Sequence, residues 1–269
     1  MIRNVPVLLI GSALWIGAPA HSQTPATAPA PLKFEVASLK PSQPDPTGRG
    51  GIRPAPGGQR YVATNAPLRL FITVAYGVKG DQIAGGPDWM DTARFDMNGL
   101  AARQSNIDEL HLMLQDLLAE RFKLRFHRET KQLPIYALTV DKDGPKLKPR
   151  EALNVGEQWI DVTAQRILQM TLSAKVVTMD YFAFRLSQLL DRPVVNMTKI
   201  PGNFDFDLAY TREPPPGVPE NAVINGQQVD TSGPTIFEAV RRQLGLKLEP
   251  QKGPVEVIVV DHAEKPVEN

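Results

Sequence analysis

The sequence predicts an α+β fold that is an internal duplication of one β-β-α-β-β-α-β-β unit, with mainly antiparallel sheets and helices on one face. Short segments of alternating apolar residues recur along the chain, and each half contains two segments with the apolar spacing of a helix. The two halves repeat the same order of segments, and both contain a Phe-Asp pair, at Phe95-Asp96 and Phe204-Asp205. Residues 124–141 also align with residues 246–261 across a short gap, which favours a repeat.

The N-terminus predicts export. Arg3 provides a positive start, residues 5–16 form an apolar run, and the small residues Ala20 and Ser22 end it, which is the layout of a signal peptide at residues 1–22. The run is shorter than the roughly 20 residues that span a bilayer. We therefore expect cleavage after Ser22, no transmembrane anchor afterwards, and a periplasmic or secreted protein. Residues 23–32 are rich in proline and alanine and predict an extended tether.

The composition indicates a folded protein and excludes several kinds of site. Hydrophobic residues make up 42% of the chain, and 30 basic residues face 29 acidic ones, so the net charge gives no attraction for nucleic acid. The chain has no cysteine, which excludes disulfides, thiolate zinc sites, iron-sulfur clusters and cysteine nucleophiles. We expect no cofactor, no bound metal and no nucleic-acid partner.

The first predicted repeat spans residues 33–150. A strand is expected at residues 34–39, followed by a long loop at residues 41–58, where prolines and glycines oppose a helix or a central strand. Asn65 is the expected cap of the first helix, and Asn106 with Glu109 forms a capping box before the second. Further strands are expected at residues 60–64, 93–97, 123–129 and 133–140, the last two joined by a tight turn.

The second predicted repeat spans residues 151–269. Its first helix, residues 179–190, is expected to be capped by Thr178. A proline-rich insert at residues 212–224 accounts for its greater length. The remaining elements are strands at residues 158–162, 166–172, 203–209, 246–249 and 255–260, and a helix at residues 235–244.

Ordered motifs along the whole mature chain resemble one protein family. They include Phe34-Glu-Val-Ala-Ser-Leu-Lys-Pro-Ser42, Gly85-Gly-Pro-Asp-Trp89, Leu117-Leu-Ala-Glu-Arg-Phe122, His127-Arg-Glu-Thr130 and Gln251-Lys-Gly-Pro-Val-Glu-Val257. These motifs resemble a large paralogous soil-bacterial family of exported proteins of unknown function. A similar domain is fused behind some antirepressor-type membrane metallopeptidases related to BlaR. The resemblance covers residues 33–269 and implies no catalytic residues.

The segment from Gly85 to Trp89 occurs in one half only and is a candidate binding site. Gly85 and Gly86 permit positive φ and a close backbone approach, and Trp89 offers a large flat surface with one hydrogen-bond donor. These three residues are candidates for ligand or partner binding. The alternative is that Trp89 fills the core beneath a tight turn.

A basic stripe is a second candidate for partner binding. If residues 123–128 form a strand, Lys123, Arg125 and His127 share its outer face. The stripe could bind an anionic envelope surface or an acidic patch of a partner. The alternative is a solvated face that protects an edge strand from aggregation.

Asp88 and Asp91 are the candidate catalytic residues. Two carboxyl groups in different environments can serve as acid and base, although turn aspartates that bind nearby backbone have the same pattern. The mature chain keeps His111, His127 and His262, without the close spacing of a helical zinc motif. His111 is expected on the polar side of its helix.

The leading hypothesis is a non-catalytic exported binding or protein-interaction module, with an envelope protein or glycan as partner. One alternative is a hydrolase of an envelope or extracellular polymer that uses Asp88 and Asp91. Another is a small-ligand sensor that binds between the two halves.

Overall fold

Three mostly antiparallel four-stranded sheets and five α-helices form the fold in the described part of the chain. The computed structural model describes residues 32–43, 50–55, 57–151, 158–214, 217, 219, 222–224 and 226–267. The predicted signal peptide and nearly all of the tether lie outside these residues, as does part of the predicted proline-rich insert. From Leu32 onward the chain forms one compact unit.

The elements are named in chain order. They are β1 (Phe34–Pro41), β2 (Gly51–Pro54), β3 (Arg60–Pro67), α1 (Leu68–Tyr76), β4 (Ile83–Gly85), α2 (Trp89–Thr92), β5 (Arg94–Ala101), α3 (Ile107–Arg121), β6 (Arg125–Val140), β7 (Lys148–Arg150), β8 (Trp159–Ala164), β9 (Gln169–Val177), α4 (Met179–Leu189), β10 (Val194–Asn196), β11 (Asn203–Thr211), β12 (Val223–Ile224), β13 (Gln227–Gln228), α5 (Ile236–Leu244) and β14 (Leu246–His262). No helix among the described residues is both long enough and apolar enough to cross a membrane.

The first sheet has the order β1-β5-β3-β2 and is antiparallel throughout. Helices α1 and α3 pack against each other beside it. The predicted capping box is confirmed: the Asn106 side chain accepts from the Glu109 N–H at 2.8 Å, and the Glu109 carboxylate accepts from the Asn106 N–H at 3.1 Å. The apolar stripe that predicted α3 is buried in the first hydrophobic core.

The second sheet has the order β7-β11-β9-β8 and is also antiparallel. The predicted cap of α4 is confirmed, because the Thr178 hydroxyl accepts from the Tyr181 N–H at 3.2 Å. Thr235 and Glu238 form a capping box at α5. Apolar residues of α4, α5 and the second sheet form the second core.

The central sheet has the order β10-β6-β14-β4. Strands β6 and β14 pair antiparallel along almost their whole length, while β10 and β4 add to the outer edges in parallel. Both long strands belong to both cores: Phe126 and Ile258 pack in the first, and Leu138 and Leu246 in the second. This two-stranded ribbon therefore joins the two cores physically.

The predicted strand pairs at the ends of the repeats are wrong. β6 is one strand of 16 residues and β14 one strand of 17 residues, where a turn was expected in each. The prolines at 134, 250 and 254 and Gly253 resemble turn residues in the sequence, but the ribbon continues through them in register. The β-β-α-β-β-α-β-β order therefore does not describe the strand count of either half.

Two further predictions in the first half need correction. The proline- and glycine-rich loop contains β2, which lies at the edge of the first sheet, where proline is tolerated; its residues 44–49 and 56 are outside the described residues. Asn65 does not cap α1. It lies in β3 with φ 48°, and Pro67 precedes the helix.

Candidate functional site

A groove with a volume of about 500 Å³ lies where α3, α4 and the end of α1 meet. Asp108, His111, Leu112 and Gln115 line it from one face of α3, because residues three and four apart are neighbours on a helix. From α4, the groove is lined by Asp180, Tyr181 and Phe184. The site thus combines aromatic rings with acidic side chains.

A row of rings runs through the junction of the two helices. The ring centroids of Tyr61 and His111 are 6.0 Å apart, those of His111 and Tyr181 are 6.3 Å apart, and those of Tyr181 and Phe184 are 6.1 Å apart. Burial lowers the pKa of His111 to about 4, so its imidazole is neutral at pH 7. Burial has the opposite effect on the phenol of Tyr181, whose pKa it raises. Tyr181 packs against both hydrophobic cores, so this row bridges them.

Two carboxylates face the groove from the first turns of the two helices. Asp108 is the second residue of α3 and Asp180 the second residue of α4. The positive end of the helix dipole favours negative charge at these N-terminal positions. Burial raises the pKa of Asp108, and the charges of Asp180 and Glu109 raise it further. Asp180 accepts one hydrogen bond, at 2.8 Å from the Asn196 amide. Neither Asp108 nor Asp180 forms a salt bridge with another described residue.

Arg128 supplies the basic side of the groove. Its guanidinium carbon lies 5.6 Å from the ring centroid of Tyr76. The guanidinium group forms an ion pair with the Glu256 carboxylate. Tyr76 in turn packs edge-on against Phe126, with 4.8 Å between centroids. Burial raises the pKa of Tyr76 to about 12. Arg128 is therefore both charge-compensated and held against an aromatic wall.

Contacts between the chain after α1 and the end of α4 hold the groove together. The Lys79 ammonium donates to the Ser187 carbonyl at 3.1 Å and to the Leu190 carbonyl. The Gln188 side chain donates to the Val78 carbonyl at 3.4 Å. A cation at a helix C-terminus satisfies carbonyls that the helix itself leaves free. These hydrogen bonds, of which the two from Lys79 are charge-assisted, tie the chain after α1 to the end of α4.

The glycine-tryptophan segment lies at the edge of the first core. Gly85 and Gly86 have φ of 69° and 84°. A Cβ on Gly85 would lie 2.8 Å from the Val260 carbonyl oxygen, so the close approach to β14 requires glycine. Trp89 is partly buried and stacks on Phe122 at 6.3 Å. This packing favours the structural interpretation of Trp89, and binding at this segment stays a prediction.

Asp91, one of the two candidate catalytic residues, is held by a guanidinium. Arg69 donates to its two carboxylate oxygens from Nε at 2.5 Å and from Nη2 at 3.0 Å, and it also donates to the Ile83 carbonyl at 2.7 Å. The hydrogen bond from Arg69 lowers the pKa of Asp91, which opposes a role as general acid. Asp88 is exposed and makes no capping hydrogen bond to α2.

The Arg69 contact leads to a testable difference between the two aspartates. We expect Asp91→Asn to lower the free energy of unfolding by up to about 1 kcal/mol, because it weakens a partly exposed ion pair. Asp88→Asn is the matched control and should leave stability unchanged. Urea denaturation of both variants measures this, and equal stability of the two would contradict a structural role for Asp91.

The predicted basic stripe is not a continuous row. Lys123 has φ 49° and lies between α3 and β6, so its predicted place in a strand is wrong. Arg125 and His127 are both exposed on β6. His127 Nδ1 lies 2.8 Å from the Asp261 carboxylate, and this hydrogen bond raises the pKa of His127. Acidic side chains therefore interrupt the stripe.

Sequence reasoning offered a ligand site between the two halves as one alternative, but it named none of the residues that line this groove as binding residues. His111 was expected on the polar side of α3, but it lies largely buried between Tyr61 and Tyr181. One feature of the sequence indicates a contact surface at this place. It is Leu112, an apolar residue that lies outside the buried stripe of α3 and is exposed in the groove. The partner helix α4 comes from the other half of the chain, so no local pattern could place it there. In the described part of the chain, no three His, Asp or Glu residues are grouped to hold a metal ion.

The fold and the site define an α+β protein with a ligand-sized groove between two helices. A family model described as a protein of unknown function (DUF3738) matches residues 69–263, and the chain therefore belongs to that family. No curated protein and no solved structure matches the chain.

Proposed function

We propose that the protein is an exported, non-catalytic binding module whose ligand occupies the groove between α3 and α4. The groove carries the proposal, because its volume of about 500 Å³ falls within the range of small-molecule sites. Its walls also combine apolar rings with a few polar groups, which is the composition expected of such sites. The resemblance to an exported family with a domain fused to membrane metallopeptidases is consistent with a binding role outside the cytoplasm.

The groove gives a direct test of binding. A thermal-shift screen of the mature chain, residues 23–269, against glycans, peptides and small metabolites should yield a saturable stabilisation, since a ligand of the folded state stabilises it by mass action. Leu112, which lines the groove, is 48% exposed, and Leu112→Ser should weaken the hit without unfolding the protein. Val36, 61% exposed on β1, does not line the groove, and Val36→Ser is the control. A hit that Leu112→Ser leaves unchanged, or no hit at all, would contradict the proposal.

A polymer hydrolase is the second candidate function, and one observation favours it. Asp108 and Asp180 line the same groove, and Asp108 has a raised pKa, as a general acid requires. This pair differs from the pair expected from the sequence, because Asp91 is occupied by Arg69. If glycan or peptide substrates are cleaved and Asp108→Asn abolishes the cleavage, the hydrolase replaces the binding module.

We also propose that the chain arose by internal duplication. In support, the strand order β1-β5-β3-β2 corresponds one to one with β7-β11-β9-β8. A second similarity is local. Asp96 accepts from the N–H of Asn65, with φ 48°, at 2.9 Å, and Asp205 accepts from the N–H of Val176, with φ 50°, at 2.8 Å. Asn65 and Val176 each lie at a shift in the pairing register, of β3 with β5 and of β9 with β11 respectively. Both hydrogen bonds therefore stabilise an irregular position of a strand.

The two aspartates should therefore have equivalent effects on stability. We expect Asp96→Ala and Asp205→Ala each to lower the free energy of unfolding by about 1 kcal/mol, since each removes the carboxylate that accepts from a backbone N–H at a register shift. Asp207 lies on the same strand as Asp205 and accepts from the Ser173 hydroxyl in an exposed hydrogen bond. Asp207→Ala is the control and should have a smaller effect in the same chemical denaturation. An effect of only one of the first two variants would contradict the equivalence.

Export is tested separately. Expression of the full chain in a Gram-negative host, followed by fractionation and N-terminal sequencing, should give a periplasmic or secreted protein that begins at Gln23. An uncleaved protein in the cytoplasm would contradict export.

A further inference from the structure

We infer that the groove binds a small ligand that carries a positively charged ammonium group. The inference rests on the proposed binding function and specifies the chemical class of the ligand. Its basis is an unbalanced negative charge beside aromatic surfaces.

The charges that line the groove do not cancel. Asp108 and Asp180 contribute two carboxylates, and the burial that raises the pKa of Asp108 reflects the cost of a charge without a counter-ion. Arg128 is the one cation among the described residues that line the groove, and it is already paired with Glu256. His111 cannot supply the missing charge near pH 7, because its pKa is about 4. An ammonium group is the simplest ligand charge that would compensate the two carboxylates.

The walls suit an organic cation better than an inorganic one. Cations bind over the faces of aromatic rings, and Tyr181 and Phe184 line the same groove as Asp180, from the same helix. The Tyr76 wall already holds a cation in this way, namely the Arg128 guanidinium at 5.6 Å. An alkylammonium or quaternary ammonium group could use both features at once, with its charge near the carboxylates and its methylene or methyl groups on the rings.

The experiment separates charge from shape. Choline and cadaverine serve as probes, and 3,3-dimethylbutan-1-ol is the neutral isostere of choline. Binding to the mature chain is measured by calorimetry and by NMR shifts of groove residues. We expect saturable binding of at least one cation, with binding of the neutral isostere at least about tenfold weaker. Equal affinity for choline and its isostere, or no binding of either cation, would overturn the inference.

Two substitutions assign the binding to the carboxylates. We expect Asp108→Asn and Asp180→Asn each to raise the Kd of the bound cation at least about tenfold. Asp116→Asn is the matched control, since Asp116 is also on α3 but pairs with Lys33 outside the groove, and it should change Kd less than about twofold. The two groove variants are independent, so the result stands if one of them folds poorly. Affinities that both variants leave unchanged would contradict the inference.

The outcomes distinguish this inference from the proposed function. If neither cation binds but the screen gives a neutral ligand whose binding Leu112→Ser weakens, the groove is a binding site but the ammonium inference is wrong. If no ligand depends on Leu112, the binding function itself is wrong.

Discussion

Phe122→Ala is expected to lower the free energy of unfolding by about 3–5 kcal/mol, because it removes a large buried ring and leaves a cavity. Phe122 is fully buried at the end of α3. Its ring centroid lies 5.1 Å from that of Phe95, 6.0 Å from that of Phe71 and 6.3 Å from that of Trp89. Four aromatic rings thus meet in the first core, and truncation of the central one removes contacts to three. Urea denaturation followed by tryptophan fluorescence measures the loss.

The same experiment tests whether the two cores unfold together. Phe182 is the fully buried ring of α4 in the second core, where it packs edge-on against Phe206 at 4.9 Å. Because β6 and β14 belong to both cores, we expect Phe122→Ala and Phe182→Ala to shift one common unfolding transition. Phe122→Leu, which retains most of the apolar volume, is the control with a smaller effect. Two separate transitions, each moved by one variant only, would show that the halves are independent domains.

Local signals predicted the caps of α3 and α4, although not the start of α1. The predicted caps Asn106 and Thr178 form their hydrogen bonds, because a cap depends on residues only three positions apart. The buried stripe of α3 was also predictable, since its spacing of three and four residues has no other simple explanation. These features depend on residues that are close in the sequence, and they can therefore be predicted without knowledge of the fold.

Features that depend on distant residues were not predictable in the same way. The prolines of β6 and β14 indicated turns, whereas pairing of the two strands over their whole length keeps each strand continuous. The sequence makes Asp91 a candidate catalytic residue, but it does not show that Arg69 of α1 donates to both of its carboxylate oxygens. The groove also depends on residues that are distant in the sequence. Asp108 and Asp180 line it together only because α3 and α4, from different halves of the chain, meet in the fold.

His111 is expected to make the protein less stable at acidic pH. Its pKa of about 4 in the folded protein lies below the ordinary value of 6.5, which the unfolded chain is expected to show. As the pH falls below 6.5, the unfolded state therefore binds the proton first, and stability is lost until the pH reaches about 4. The loss between pH 7 and pH 5 should be about 2 kcal/mol from this one residue.

A comparison of variants isolates this contribution. The measured quantity is the difference between the free energies of unfolding at pH 7 and pH 5, so that any constant cost of a substitution cancels. His111→Gln should reduce this difference by about 2 kcal/mol relative to the unchanged protein. Asp108 acts in the opposite direction, because its raised pKa means that the folded state gains stability as the carboxyl becomes protonated. Its effect is present in both proteins and is removed by the comparison.

His127 provides a control of opposite sign. Its pKa is raised by the Asp261 carboxylate, so the folded state binds the proton first and gains stability as the pH falls through the folded pKa. His127→Gln should therefore leave the acid-induced loss unchanged or increase it, whereas His111→Gln reduces it.

Equal acid sensitivity of His111→Gln and the unchanged protein would mean that the imidazole of His111 is accessible to protons. The ring would then lie open to solvent, and the groove could carry a positive charge at mildly acidic pH. In that case, cation binding should weaken between pH 7 and pH 5 in step with the titration of His111, which NMR can follow directly.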